Sequence, residues 1–456
     1  MSERFERVGA IAQAEMARLG VPGVALGVLH GGNTETTGFG VTNVENPLPV
    51  DGGTLFRIAS ISKTFLAMAA MRLVEAGSLD LDAPVKRYLP DFRLRDLEAQ
   101  ERATIRHCLT HVGGWQGDVF DDPTSPDSVG RGDDALARYV ASLATVPQLT
   151  PLGTVWSYNN AGFGIVGRVL EVVTARPFER AIGDLLLRPL GMARTFYFAE
   201  EIVTYRVSAG HTTLVDGPRV TRPWDLGRAG SPLGGLISCV DDLLIWARFN
   251  LGDGRAPDGA RLLSAETMRY VKAPLAPAGS LADTIGITWQ STDVGAVRTV
   301  GHGGVWLNQM SSFRLAPDRD FAVVCLTNAN RGTELHGEVT GAALREYLGA
   351  RAPEPAYLSP SAADLEARAG LYTAALDDLS LAVVDDGLVL TVTRRADLFR
   401  ARPQTPMPGP TRLAFRAPDS VVGLDEPFKG ARGEFITGAD SRLAWFRWGG
   451  RIHARM

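Results

Sequence analysis

Lysine is nearly missing from this sequence: of 47 basic residues only four are lysines, Lys63, Lys86, Lys272 and Lys429. Arginine serves wherever a generic positive charge is wanted, so each lysine asks for a specific reason. Cysteine is scarce as well. Cys108, Cys239 and Cys325 are odd in number and unclustered, which argues against a disulfide framework or a cysteine metal site and leaves each as a small buried hydrophobe in a reducing compartment. No apolar run approaches the ~18 residues of a membrane-spanning helix. The N-terminal stretch MSERFERVGAIAQAEMARLG mixes acids and arginines among its apolar residues and lacks the continuous core of a signal peptide, so a soluble cytoplasmic protein is expected. Net charge is -4 with no block of either sign, which advertises no surface to nucleic acid or anionic lipid. The glycine-rich spots match neither G-x-G-x-x-G after a strand nor G-x-x-x-x-G-K-S/T, which removes the nucleotide readings, and no cofactor is indicated. His107 and His111 have the spacing of a zinc pair, but the motif glutamate is absent and Gly113-Gly114 follows at once, so no metal is expected. His30, His211, His336 and His453 are isolated and read as structural.

What is present is an ordinary globular mixture, 45% hydrophobic over 456 residues, too long for one typical core. Residues 24 to 29 and 35 to 43 read as strands around a hairpin turn, and 299 to 304, 310 to 315 and 321 to 327 as three more. Helical patterns follow Ser60 as far as Gly77 and run over about 162 to 175, 177 to 188, 241 to 250 and 334 to 348. Strands at both ends of a helical middle imply one sheet built from distant segments. Residues 351 to 360 (RAPEPAYLSP) hold three prolines and no periodicity, and read as a linker between residues 1 to 350 and 361 to 456. Beyond it, alternating runs around Asp385-Asp386-Gly387 and Gly449-Gly450 carry hairpin signatures, so a small all-β domain is expected.

Three segments carry chemistry. Ser60-Ile61-Ser62-Lys63 puts a serine at the positive end of a helix and a lysine one turn on, where the side chains can meet. A desolvated lysine can lose its charge and take the serine proton. A capping serine followed by a solvated lysine would give the same letters, although four lysines and 21 serines give about 0.18 chance matches in a shuffled chain. The stretch from Pro151 to Asn160 is turn-rich and aromatic. Within it Tyr158 becomes a base if adjacent cations such as Lys63 lower its pKa by about 3 units, and Asn160 can direct its amide at Lys63 and a substrate carbonyl; a packed tyrosine in a capping turn is the alternative. Gly301-His302-Gly303-Gly304-Val305 ends a strand with glycines that permit close backbone approach. There a backbone N–H near Val305 can join that of Ser60 as an oxyanion hole, or the segment is a bulged edge with a surface histidine.

Taken in order, FRIASISKTF, WSYNNAGFGIVG and GHGG resemble the three motifs of the serine β-lactamase-like family, which includes class C β-lactamases, D-Ala-D-Ala carboxypeptidases, D-aminopeptidases and esterases. VPGVALGV, TIRHCLTHVGGW, LLLRPLGM and SPLGGLISCVDDL are similar too, and the likeness covers roughly residues 5 to 350. It implies an α/β (α+β) sandwich with an antiparallel five-stranded sheet, an all-helical region and the active site between them. It assigns Ser60 as nucleophile, Lys63 and Tyr158 as the proton-transfer pair, Asn160 as a contact to substrate amide and lysine, and His302-Gly303-Gly304 as the strand motif. His302 stands where many members have lysine, which makes β-lactamase activity doubtful and, if it titrates near 6.5, favours anionic substrates in the acid range. Val305 and Trp306, with Leu307, Asn308 and Gln309 after them, suggest an apolar acyl or alcohol portion.

Three functions compete on these residues: a carboxylesterase-like hydrolase of small apolar esters, a D-aminopeptidase or D,D-peptidase with weak β-lactamase action, and a catalytically silent binding protein. Intact Ser60, Lys63 and Tyr158 argue against the last. The expected partner is a small ester or peptide substrate. A homo-oligomer is compatible with the composition but not indicated.

Overall fold

The computed structural model describes residues 1–121, 125, 128–222, 224, 227–395 and 407–456. The first helix, Glu3–Leu19, begins at Ser2, whose hydroxyl accepts from the Phe5 amide, and ends at Gly20 in the left-handed conformation. It leads into the strand Gly23–His30, the second strand of a sheet that is antiparallel throughout. In spatial order the sheet runs 33–40, 23–30, 321–327, 309–316, 297–306, 290–294, 284–285 and 276–277. Eight strands therefore replace the expected five. The five expected ones form one side of the sheet in unbroken order, and two of the additional strands are two residues long, too short to show a period of two.

Alternation along the central strands feeds two cores. Val24, Leu26 and Val28 face the first helix and the helix Gly332–Leu348, whereas Ala25 and Leu29 face the helical region. The strand Phe321–Thr327 divides the same way, with Val323 and Cys325 on one side and Val324 and Leu326 on the other. All three cysteines are buried and unpaired, as their spacing suggested. The helix Ser62–Glu75 is apolar nearly all round because it runs through the larger core, where Phe65 stacks on Trp246 at 4.0 Å. No helix among the described residues is long and apolar enough to cross a membrane.

Beyond Ala350, which is still buried, residues 351–359 run in irregular, exposed conformation, with the Leu358 amide donating to the Phe415 carbonyl, and lead to the short helix Ala362–Arg368. It then forms a closed barrel of eight antiparallel strands between Gly370 and Arg455. Closure comes from pairing of Tyr372 with Arg455 and Thr373 with Ala454. The small all-β unit expected from the hairpin signatures is thus a complete barrel, with Tyr372, Leu381, Leu390, Phe415, Phe435 and Phe446 packed as its core. One end meets the rest of the chain: Arg432 pairs with Asp283 at 2.6 Å, and the turn Gly449-Gly450 is fastened to residues 158 and 280.

Candidate active site

The chain turns sharply before the nucleophile candidate. Ala59 has a φ of 46°, a costly value for a residue with a side chain, and Ala59–Ile61 form one 3-10 turn that feeds the helix Ser62–Glu75. Ser60 is half-buried at that turn, and its Oγ is hydrogen-bonded to Lys63 Nζ at 3.0 Å. Lys63 is 0% exposed. Its amine also reaches the carbonyl of Leu233, and the rings of Tyr158 and Phe163 lie 5.2 and 5.3 Å from it. Burial, helped by the charge of Arg451 and opposed by Asp118, pushes the Lys63 ammonium well below its ordinary value, which favours the neutral amine a general base needs.

Tyr158 departs from the expectation. Burial pushes the phenol above its ordinary value, with only partial relief from the Ser60 hydroxyl and Arg451. The buried phenol oxygen feels Ser60 but closes no hydrogen bond of good geometry with it. Tyr158 is therefore protonated at neutral pH. Its ring stacks on His111 at 4.4 Å, and His111 Nδ1 accepts the Asn159 amide at 2.9 Å, which leaves the ring proton on Nε2. His111 is neutral, chiefly through burial. Sequence reasoning weighed His111 only as one of a zinc pair with His107 and missed its place at the site; His107 caps its own helix through Thr104.

Asn159 and Asn160 divide two tasks. The Asn159 side chain caps the helix Asn160–Thr174 by accepting the Gly162 amide. Asn160 was expected on Lys63, but its amide donates to Asp118 Oδ1 at 2.9 Å, a charged acceptor and hence the stronger one. Asp118 in turn takes a two-pronged ion pair from Arg451 of the barrel, 2.7 Å from Nε and 2.9 Å from Nη2. Neither Asp118 nor Arg451 carries a local sequence signal, and both were missed.

The strand motif runs beside Ser60. A Cβ on Gly304 would lie 2.3 Å from the Ile58 carbonyl, so a glycine is needed where the strand presses against the turn preceding the nucleophile. His302 is 2% exposed rather than a surface group. Its Nδ1–H donates to the Gly303 carbonyl and its ring lies 6.0 Å from Tyr158. Burial, with Lys63 next, pushes its pKa down to about 3, away from the value near 6.5 at which it would favour anionic substrates in the acid range. Val305 is 59% exposed, and alternation turns its side chain away from the Gly304 face. Trp306 sits 5.8 Å from Phe120, another residue that sequence reasoning missed. Leu307, Asn308 and Gln309 were expected at an apolar mouth and are instead structural. Leu307 is buried, Asn308 donates to Thr212 and Thr221, and Gln309 accepts the Arg57 amide.

Comparison with known proteins shows the family. The Beta-lactamase family model matches residues 8–348. Penicillin-binding protein 4 of Amycolatopsis lactamdurans is 34% identical over 362 residues, 77% of this chain and 93% of that protein. Esterase EstB of Burkholderia gladioli is 37% identical over 188 residues, 40% of this chain and 48% of that protein. Among solved structures, SurE with D-Leu superposes with a TM-score of 0.74 at 24% identity, covering 99% of both chains, so its fold likeness extends through the barrel. With a family model spanning three quarters of its length and a relative aligned along nearly all of that protein, the chain belongs to the β-lactamase family of serine hydrolases.

Proposed function

We propose that this chain hydrolyses small, uncharged carboxylic esters through an acyl-enzyme on Ser60. The observation that carries the reading is the fully buried Lys63 hydrogen-bonded to Ser60, with burial disfavouring its ammonium form. Ser60 Oγ attacks the ester carbonyl carbon while its proton passes to Lys63 Nζ, and the C=O electron pair moves onto oxygen. The backbone N–H groups of Ser60 and Val305 receive that oxyanion. On collapse the C–O bond to the alcohol breaks, Tyr158 gives its proton to the departing alkoxide, and Lys63 returns one to Tyr158. Water then repeats the attack on the acyl carbon with Lys63 as base, and Ser60 leaves with its proton restored. Asn160 and the backbone of Gly303 and Gly304 hold the acyl portion, and Trp306 with Phe120 offers it an apolar wall.

Neutrality of the substrate follows from His302, which stays uncharged where a carboxylate-gripping cation would stand, and from Arg451, whose charge is engaged by Asp118. The likeness to an esterase supports the same reading. A second reading, D-amino-acid amides or peptides, is favoured by the shared fold of the SurE structure holding D-Leu. Steady-state kcat/KM for 4-nitrophenyl acetate and butyrate beside D-alanyl and D-leucyl 4-nitroanilides separates the two. The ester reading expects the esters to lead by at least about tenfold, and preference for the D-amides overturns it.

A further inference from the structure

The barrel does more than sit beside the catalytic body. Its last hairpin turns at Gly449-Gly450, and both groups of the Gly450 backbone are used: the carbonyl accepts the Tyr158 amide at 2.8 Å and the amide donates to Ser280 Oγ at 3.0 Å. The next two residues continue inward. Arg451 lies 5.0 Å above the Tyr158 ring while it grips Asp118, and the Ile452 amide donates to Ser157 Oγ at 3.3 Å. All three guanidinium nitrogens are occupied, since Nη1 donates to the Gly449 carbonyl at 3.1 Å, so Arg451 has no free fork to offer a ligand.

We propose that Arg451, carried on the last hairpin of the C-terminal barrel, is a positioning residue of the active site, fixing Asn160 through Asp118 and setting the electrostatic environment of Lys63. The proposal rests on the reading of Ser60 and Lys63 given above. Eight groups face Lys63 from the elements around it: Ser60, Leu233, Tyr158, Phe163, His111, His302, Asp118 and Arg451. His111 and His302 are neutral, Ser60 and Tyr158 keep their protons, and Leu233 offers a carbonyl dipole. Asp118 and Arg451 are the charged members of this set. They act on Lys63 in opposite senses, Arg451 disfavouring its proton and Asp118 favouring it. A scaffold on which the barrel served as a passive appendage would have no reason to place a partly buried ion pair between its hairpin and Asn160, because withdrawing such a pair from water costs desolvation.

Opposite senses give a test that simple loosening of the fold cannot imitate. The pH dependence of the acylation burst with 4-nitrophenyl acetate is measured for the full-length chain and for Arg451→Met, Asp118→Asn and the double variant. Acylation needs neutral Lys63, so its ascending limb follows the Lys63 proton. Arg451→Met is expected to move that limb up by about one pH unit, Asp118→Asn to move it down, and the double variant to lie near the wild type. Arg451→Lys, which keeps the charge but loses the fork, is expected to hold the limb in place while the burst rate falls about tenfold through a loosened Asn160; it serves as well if Arg451→Met does not fold. Limbs that shift in one direction in both single variants, or stay at the wild-type position in both, overturn the proposal. A burst that survives Ser60→Ala overturns the acyl-enzyme reading instead.

Discussion

The amide of Tyr158 donates to the carbonyl of Gly450 at 2.8 Å, so the turn of the barrel's last hairpin is fastened to the residue whose phenol faces Ser60. Gly450 has a φ of 81°, and a Cβ there would lie 2.5 Å from a Leu281 methyl group. Gly450→Ala is expected to cost about 1–2 kcal/mol in chemical denaturation and to lower kcat several-fold by shifting the Tyr158 backbone. Gly449→Ala, also at positive φ but facing open space, is expected to cost about 1 kcal/mol and leave kcat near wild type.

Lys63 carries a stability cost that can be read from its pH dependence. Its folded pKa lies well below the unfolded value of about 10.4, so between the two the unfolded chain holds a proton that the native state lacks. Stability from this group is therefore complete above about pH 10 and is lost as pH falls, at up to about 1.4 kcal/mol per pH unit. Lys63→Met is expected to abolish turnover yet to be the more stable protein at pH 7, with the difference shrinking as pH approaches 10. Urea unfolding at pH 7, 8 and 9 checks it, and a variant less stable than wild type at pH 7 contradicts it.

His302 is buried and neutral, with its pKa pushed down to about 3, so it does not titrate between pH 5 and 8. Profiles of kcat/KM for a neutral ester and a carboxylate-bearing ester are expected to share one shape across that range. His302→Gln is expected to keep the shape while changing the rate. A gain for the anionic ester below pH 6.5 that vanishes in His302→Gln would show that the histidine meets the substrate as a cation.

Much of the site was legible because it is local. Ser60 and Lys63 are three residues apart on one turn, and Tyr158 and Asn160 straddle a helix start, so spacing alone brings each pair together. What escaped is what tertiary structure assembles. Asp118, Arg451 and the Leu233 carbonyl come from three distant segments with no common period: Arg451 reaches Asp118 from the barrel, and Leu233 offers its carbonyl to Lys63 from the helical region. Burial escaped too: the letters of His302 read as a titratable group, and its enclosure decides that it is not. Lysine scarcity was the more informative signal, because a chain that writes nearly every cation as arginine kept a lysine where only an amine can give up its proton at accessible pH.

Ser60→Ala and Ser62→Ala separate nucleophile from scaffold. Ser62 Oγ is buried and accepts the Leu236 amide at 3.1 Å, so its removal is expected to cost about 1 kcal/mol of stability while turnover persists. The most direct test of the account is intact-mass spectrometry of the protein quenched in acid during turnover of 4-nitrophenyl butyrate, followed by peptide mapping. The account predicts one butyryl adduct on Ser60 in the wild type and in Ser62→Ala, none in Ser60→Ala, and accumulation slowed by at least about a hundredfold in Lys63→Arg. An adduct on any other residue, or wild-type turnover by Ser60→Ala, would contradict it.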